Sequence, residues 1–283
     1  MQQTKTAHRT ASRAVGALII CLWFASPVWS DADKDRKKAA KSLAKEIEQA
    51  QFHKVYVPDF LDLSGTRTEK GCFFASTFST NLAKDARNFA VVNRIQAQKQ
   101  LNELHVSTQD LQQPEMLSKV AQALSADAIL VGSAAIHVKD VKLSLSLRDA
   151  SGKEVHSLAY EEKLQPAFET SFPASEDLNT HAYYFPGLDD VSQPKCIYCP
   201  NPDYSDEARR NKFEGNVLMS VTIDEKGAVR NVRVVQDPGN GLAQQSVEIL
   251  KKWRMEPSHG PDGSPVPIRV SIETTFRLLH ERP

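Results

Sequence analysis

The sequence predicts a chain of α+β / α/β class, with an N-terminal mixed-sheet α/β domain and a small C-terminal α+β domain built as helix–hairpin–helix–strand. Three observations carry this expectation. From Lys54 onward, apolar residues switch repeatedly between a helical period and strict alternation. Between Lys163 and Asp203, the residues Pro166, Pro173, Pro186, Pro194, Pro200 and Pro202 interrupt the pattern. Beyond them alternation returns and closes in an unbroken run from Val266 to Leu278. A chain of 283 residues suits two modest domains better than one large core.

The opening residues set the expected compartment. Lys5, Arg9 and Arg13 precede a short apolar run, Ala14 to Phe24, and Ser30-Asp31-Ala32 offers a small-x-small cleavage pattern. Residues 1–32 therefore read as a signal peptide, and the mature protein is expected in the periplasm. The alternative is an inner-membrane anchor through residues 14–30, but the run falls short of the about 20 apolar residues that a span needs. Cys21 is a poor lipidation site, because Leu18-Ile19-Ile20 supplies no small residue before it. Residues 33–53 follow as a charged helix with Ala39, Ala40, Leu43 and Ile47 along one face.

Residues 54–162 read as an α/β domain. Lys54 to Phe60 is a strand candidate, and Asp62-Leu63-Ser64-Gly65-Thr66 a turn. Phe74, Phe78 and Leu82 mark a helix from Gly71 to Arg87, followed by a short strand over Phe89 to Asn93. Helices are expected at Ile95 to Leu104 and Pro114 to Leu124, then a buried strand from Ala128 to Val131 ended by Gly132. Val141 to Leu147 alternates strictly and returns through Ala150-Ser151-Gly152-Lys153 into Glu154 to Glu161 as a hairpin.

Residues 163–193 are expected to be a Pro-containing linker, partly packed on its neighbours. Cys196 and Cys199 lie just past it. Zinc would need about four ligands, and no second CxxC or close His pair is present. A redox site would need a βαβ context that the surrounding prolines do not supply. A local disulfide between Cys196 and Cys199 is expected, leaving Cys72 without a partner cysteine.

The C-terminal domain is expected over residues 194–283. Ser205 suits the cap of a short helix over Asp206 to Asn211. Gly215 to Ile223 and Ala228 to Gln236 form two strands joined at Asp224-Glu225-Lys226-Gly227. A helix over Gly241 to Trp253 faces the sheet with Leu242, Val247, Leu250 and Trp253. In the last strand Val266, Ile268, Val270, Ile272, Phe276 and Leu278 point inward, and Arg269, Ser271, Glu273 and Arg277 outward.

This layout resembles the C-terminal domain of the TonB family. The carrying residues are Tyr204-Ser205 with Ala208-Arg209, Gly215-Asn216-Val217, Asp224 with Gly227-Ala228-Val229, Trp253-Arg254-Met255-Glu256-Pro257, and Gly263 with Pro265-Val266. The resemblance implies that the last strand lies at a sheet edge and accepts an extended segment of an outer-membrane receptor, or of another envelope protein, by strand addition. On that reading the partner-binding residues are Val266, Ile268, Arg269, Val270, Ser271, Ile272, Glu273 and Thr274, and the role is in TonB-dependent transport across the envelope. Two departures bear on force transduction. The apolar segment has no His, and contact with an inner-membrane motor is expected only if that segment stays uncleaved. A folded domain also stands where a long Pro-rich spacer is expected.

A second resemblance rests on the Asp62-x-Ser64-Gly65 loop, Val91-Val92-Asn93-Arg94 and Ala126-Asp127-Ala128-Ile129-Leu130-Val131-Gly132-Ser133. These are similar to small envelope domains of the FlgO, CsgG and TolB N-terminal type, which implies the alternative role of an envelope-assembly or scaffolding adaptor acting mainly through residues 54–162.

Composition excludes other classes. Lys plus Arg and Asp plus Glu both number 35. From Lys195 to Pro283 there are 13 basic and 12 acidic residues, interspersed rather than striped, so nucleic acid is not an expected partner. His53, His105, His137 and His156 have no Ser or carboxylate at a catalytic spacing, and no phosphate-cradling glycine loop or HExxH helix occurs. No enzymatic activity and no cofactor or metal are expected.

Overall fold

A computed structural model describes residues 15–20, 32–137, 139–164 and 184–278. Residues 1–14 and 21–31 of the expected signal peptide, and 165–183 of the expected linker, lie outside the described residues.

The N-terminal sheet has the order β3-β2-β4-β5-β6, with β2 (Lys54–Tyr56), β3 (Ala90–Val91), β4 (Ala128–Ile136), β5 (Asp140–Asp149) and β6 (Glu154–Lys163). β2 runs parallel to β3 and β4, whereas β4, β5 and β6 form an antiparallel meander. Helices α1 (Ala32–Gln49) and α2 (Glu69–Asp85) cover one face, and α3 (Arg94–Glu103) and α4 (Pro114–Leu124) cover part of the other. The patterning of the strands follows from this cover. In β4, Ala128 and Leu130 face α1 and α2 while Ile129 and Val131 face α3 and α4, so the strand is apolar without alternation. In β5, Val141, Leu143, Leu145 and Leu147 join the first core only, so it alternates.

β4 continues through Gly132, where the sequence predicted its end. A Cβ there would stand 2.5 Å from the Phe60 ring, so glycine marks a close approach inside the strand rather than a stop. α1 packs as its pattern predicts: Ala40, Leu43 and Ile47 are buried. It adds a buried pair that the pattern did not show, Arg36 to Glu162 at 2.6 Å, with the guanidinium over the Phe73 and Phe74 rings.

The C-terminal part begins with β7 (Lys195–Tyr198), paired with β10 (Arg254–Glu256) and closed by a disulfide between Cys196 and Cys199. Its main sheet has β13 (Ile268–Leu278) beside β8 (Gly215–Ile223), and β8 beside β9 (Val229–Gln236). Short helices α5 (Asp206–Arg210) and α6 (Leu242–Leu250) cover one face. The Ser205 Oγ accepts the Ala208 N–H at 2.9 Å and caps α5. The β8–β9 turn depends on Gly227, at φ +76°, where a Cβ would meet the Met255 carbonyl oxygen at 1.8 Å. Val217, Met219, Val221, Ile223, Ile268, Ile272 and Phe276 meet Ala208, Leu242, Leu250 and Trp253 in the core. α6 stops at Leu250, short of the predicted Trp253, whose buried indole donates to the Pro200 carbonyl at 3.1 Å.

The segment after residue 183 is a packed strap. Tyr184 bridges to Ile268, Phe185 lies edge-on to Phe73 at 5.3 Å, and Val191 enters the C-terminal core. The strap from Tyr184 to Val191 thus touches both parts.

Candidate functional site

The site is the outer edge of β13, on the side away from β8. Its last six residues have a strand neighbour there. β1 (Val15–Ile20), from the expected signal peptide, pairs antiparallel with it, from Val15 opposite Leu278 to Ile20 opposite Glu273. Across residues 32–278 alone, β13 is the edge strand of its sheet.

Backbone direction follows from two hydrogen bonds. The Arg269 N–H donates to the Tyr184 carbonyl at 2.9 Å, and the Tyr184 N–H donates to the Pro267 carbonyl at 3.1 Å. Pro267 and Arg269 therefore present their backbone groups outward. β13 pairs with β8 from Ile268 to Phe276 without a register shift. Strand alternation then turns Ser271, Glu273, Thr275 and Arg277 outward as well, with the even positions bonded to β8. The Leu278 N–H fits this phase, since it points back to Glu214 on the β8 side at 2.7 Å.

The predicted partner-binding residues divide along this line. Val266 is not on β13. It belongs to β12 (Pro265–Val266), paired with β11 (Ser258–His259), and the β8 ladder begins only at Ile268, opposite Ile223 at the end of β8. Ile268, Val270 and Ile272 give their side chains to the core and their backbone to β8. Thr274 is buried and likewise bonded toward β8. Ser271 and Glu273 carry outward backbone groups, and Glu273 accepts from the Asn216 amide at 2.5 Å.

Arg269 lies on the face expected to point outward, but it is covered there. It is only 2% exposed, donates to the Glu69 carboxylate at 2.7 Å from the first turn of α2, and reaches the Thr222 hydroxyl at 3.1 Å. The sequence pattern placed it on the correct sheet face but could not show that α2 lies over that face. Two residues of the site were missed altogether, Tyr184 and Glu69. Neither had a sequence signal, since one sits in proline-interrupted chain and the other begins a helix about 200 positions from its partner in sequence.

Behind the strap lies a second buried charge cluster. Asp59 pairs with Arg67 at 2.5 Å and with Arg94, and Arg94 also donates to the Val57 carbonyl at 2.8 Å. Burial alone would raise the Asp59 carboxyl, but the two guanidinium groups outweigh it and hold it well below the usual carboxylate range. Asp189 of the strap stands 3.2 Å from the Arg94 Nε without an aligned hydrogen bond. Burial prevails there, and its carboxyl is raised. Burial also pushes the Cys72 thiol up, and the Tyr184 phenol up to about 12. Cys72, left without a partner cysteine as expected, is buried.

Residues 200–278 match the family described as Gram-negative bacterial TonB protein C-terminal. Protein TonB of Yersinia enterocolitica is 33% identical over 72 residues, covering 25% of this chain and 28% of that protein. Protein TonB of Vibrio cholerae is 32% identical over 78 residues, covering 27% and 32%. The chain thus spans about a third or less of the curated relatives it matches. Among solved structures, the LpoB C-terminal domain from Escherichia coli is 20% identical over 45% of this chain and 97% of its own, with a TM-score of 0.36. The Pseudomonas aeruginosa TonB C-terminal domain is 23% identical over 33% and 91%, with a TM-score of 0.24. No helix among the described residues is long and apolar enough to cross a membrane. The similarity to the TonB C-terminal domain is thus confined to residues 200–278, the part of the chain that holds β13.

Proposed function

We propose that this is an exported envelope protein that binds an extended segment of an outer-membrane receptor, or of another envelope protein, by strand addition at the outer edge of β13, in support of transport across the envelope. One observation carries the reading: the Ser271, Glu273, Thr275 and Arg277 backbone groups are turned away from β8 in one unbroken phase. Such an edge offers alternating N–H and C=O groups to any strand that can approach. About four to six new hydrogen bonds, at ~0.5–1.5 kcal/mol net each, must offset the cost of association, which points to reversible binding of about micromolar strength. The N-terminal domain buttresses the acceptor from behind through Arg269 and Glu69.

Ser271→Pro tests the reading. Proline there removes an outward donor and leaves the β8 ladder whole. It is expected to weaken binding of a receptor segment at least several-fold by calorimetry, whereas Ser271→Ala keeps it nearly intact. Both variants must show the parent's circular dichroism. A folded Ser271→Pro chain that binds like the parent would rule out strand addition here.

A further inference from the structure

The acceptor edge of β13 is bounded at one end and covered at the other. At Pro267 and Arg269 the outward groups are taken by Tyr184, whose strap is held by Phe185 on Phe73 and by Asp189 beside Arg94. At Glu273 to Leu278 they face β1 of the same chain. In the antiparallel ladder the outward residues Glu273, Thr275 and Arg277 stand opposite Ile20, Leu18 and Gly16, so those pairs share the hydrogen bonds. The stretch that a partner would need is therefore the stretch that Val15–Ile20 covers, and the strap leaves no room to slide toward Ile268.

From this we propose that Val15–Ile20 is a self-made competitor for the partner strand, closing the β13 edge in the unprocessed chain and opening it when the segment leaves. The inference rests on the strand-addition reading and names its regulation. It also gives the partner a form: an extended segment of about eight residues, running antiparallel to β13 and spanning Ser271 to Leu278. The fold allows the segment to leave. α1 starts at Ala32 and is tied down by the Arg36–Glu162 pair, so loss of residues before it removes no described helix and no member of the described cores. In a chain still carrying the segment, an intramolecular strand at high effective concentration outcompetes a micromolar ligand. The device would keep an adhesive edge paired until the protein reaches its compartment.

The test uses the full chain with Leu18→Pro, which removes the N–H opposite Thr275, and a peptide carrying residues 13–20 extended by lysines for solubility. Hydrogen exchange is read at Glu273, Thr275 and Arg277. The Ile272, Thr274 and Phe276 amides, bonded to β8, report whether the sheet remains folded. In the parent chain the three outward amides are expected to be protected. In Leu18→Pro they should exchange at least ten-fold faster with the β8-facing amides unchanged, and the peptide should bind the variant at least ten-fold more tightly than the parent. Equal peptide binding to parent and variant would overturn self-competition while leaving strand addition standing. Open outward amides together with no peptide binding to either chain would overturn both. Equal protection of the outward amides in the two chains would show that Leu18 does not close the edge.

Discussion

Arg269 and Arg277 lie on one strand, on one face, each near an acidic partner, yet they sit in opposite physical regimes. Arg269 is buried against Glu69 at 2.7 Å, with the two side chains 2% and 9% exposed. Arg277 stands 3.8 Å from Glu214, with the two side chains 55% and 35% exposed. Around the first, the strap, α2 and Thr222 close every side. Around the second, the outer backbone neighbour is a strand from the start of the chain. β13 thus has a locked half, which ties the C-terminal sheet to the N-terminal domain, and a second half that the proposed strand exchange would use. A strand that must bind another chain without dissolving its own domain benefits from such a division.

The largest expected effect falls on the locked half. Arg269→Ala leaves the Glu69 carboxylate buried without its guanidinium, and such breakage costs about 3–5 kcal/mol. Urea denaturation should show that loss. Adding Glu69→Gln should recover part of it, because an amide needs no counter-charge. A loss below about 1 kcal/mol would mean that the two halves do not differ.

Acid should loosen the locked half next. The strap is anchored at Asp189 beside Arg94, and Arg94 is itself neutralised by Asp59. The Asp59 carboxyl is depressed in the folded state relative to an unfolded value of about 3.9. Its contribution is therefore fully present above about pH 4 and lost as pH falls toward the folded value. Asp189 has the opposite sign, since its raised carboxyl favours the protonated form, and it offsets part of the loss. Stability measured from pH 6 down to pH 3 should fall less steeply in Asp59→Asn than in the parent. Parallel curves would remove Asp59 from the account.

Sequence reasoning reached one half of this strand better than the other. The alternation of Ile268, Val270, Ile272 and Phe276 located the core face because side-chain period is a local property. The Ser205 cap, the Gly227 turn and the apolar β4 were legible for the same reason. What lay over the other face was not legible. Glu69, Tyr184 and Arg94 reach their partners across long sequence separations, and a charged residue in an alternating strand looks the same whether water or a carboxylate meets it. Pro267 carried a local signal that was available: two prolines flanking Val266 argue for a strand break there.

The smallest expected effect is at Arg277, and it bears on the comparison as much as the largest. An exposed pair at 3.8 Å gains little from Coulomb attraction in water and loses side-chain entropy on ordering. Arg277→Ala is therefore expected to change stability by less than about 0.5 kcal/mol, and raising the salt should shrink even that difference. Because the outward contribution of Arg277 to the ladder comes from its backbone, peptide binding to a chain with an open edge should also change less than about two-fold. Denaturation at low and high salt and one titration decide the matter. A stability loss above about 1 kcal/mol would show that Glu214 and Arg277 lock the end of β13 as Glu69 and Arg269 lock its beginning. Strand exchange would then have to begin at Ser271, between two fixed ends, where an added segment has no free terminus from which to zip.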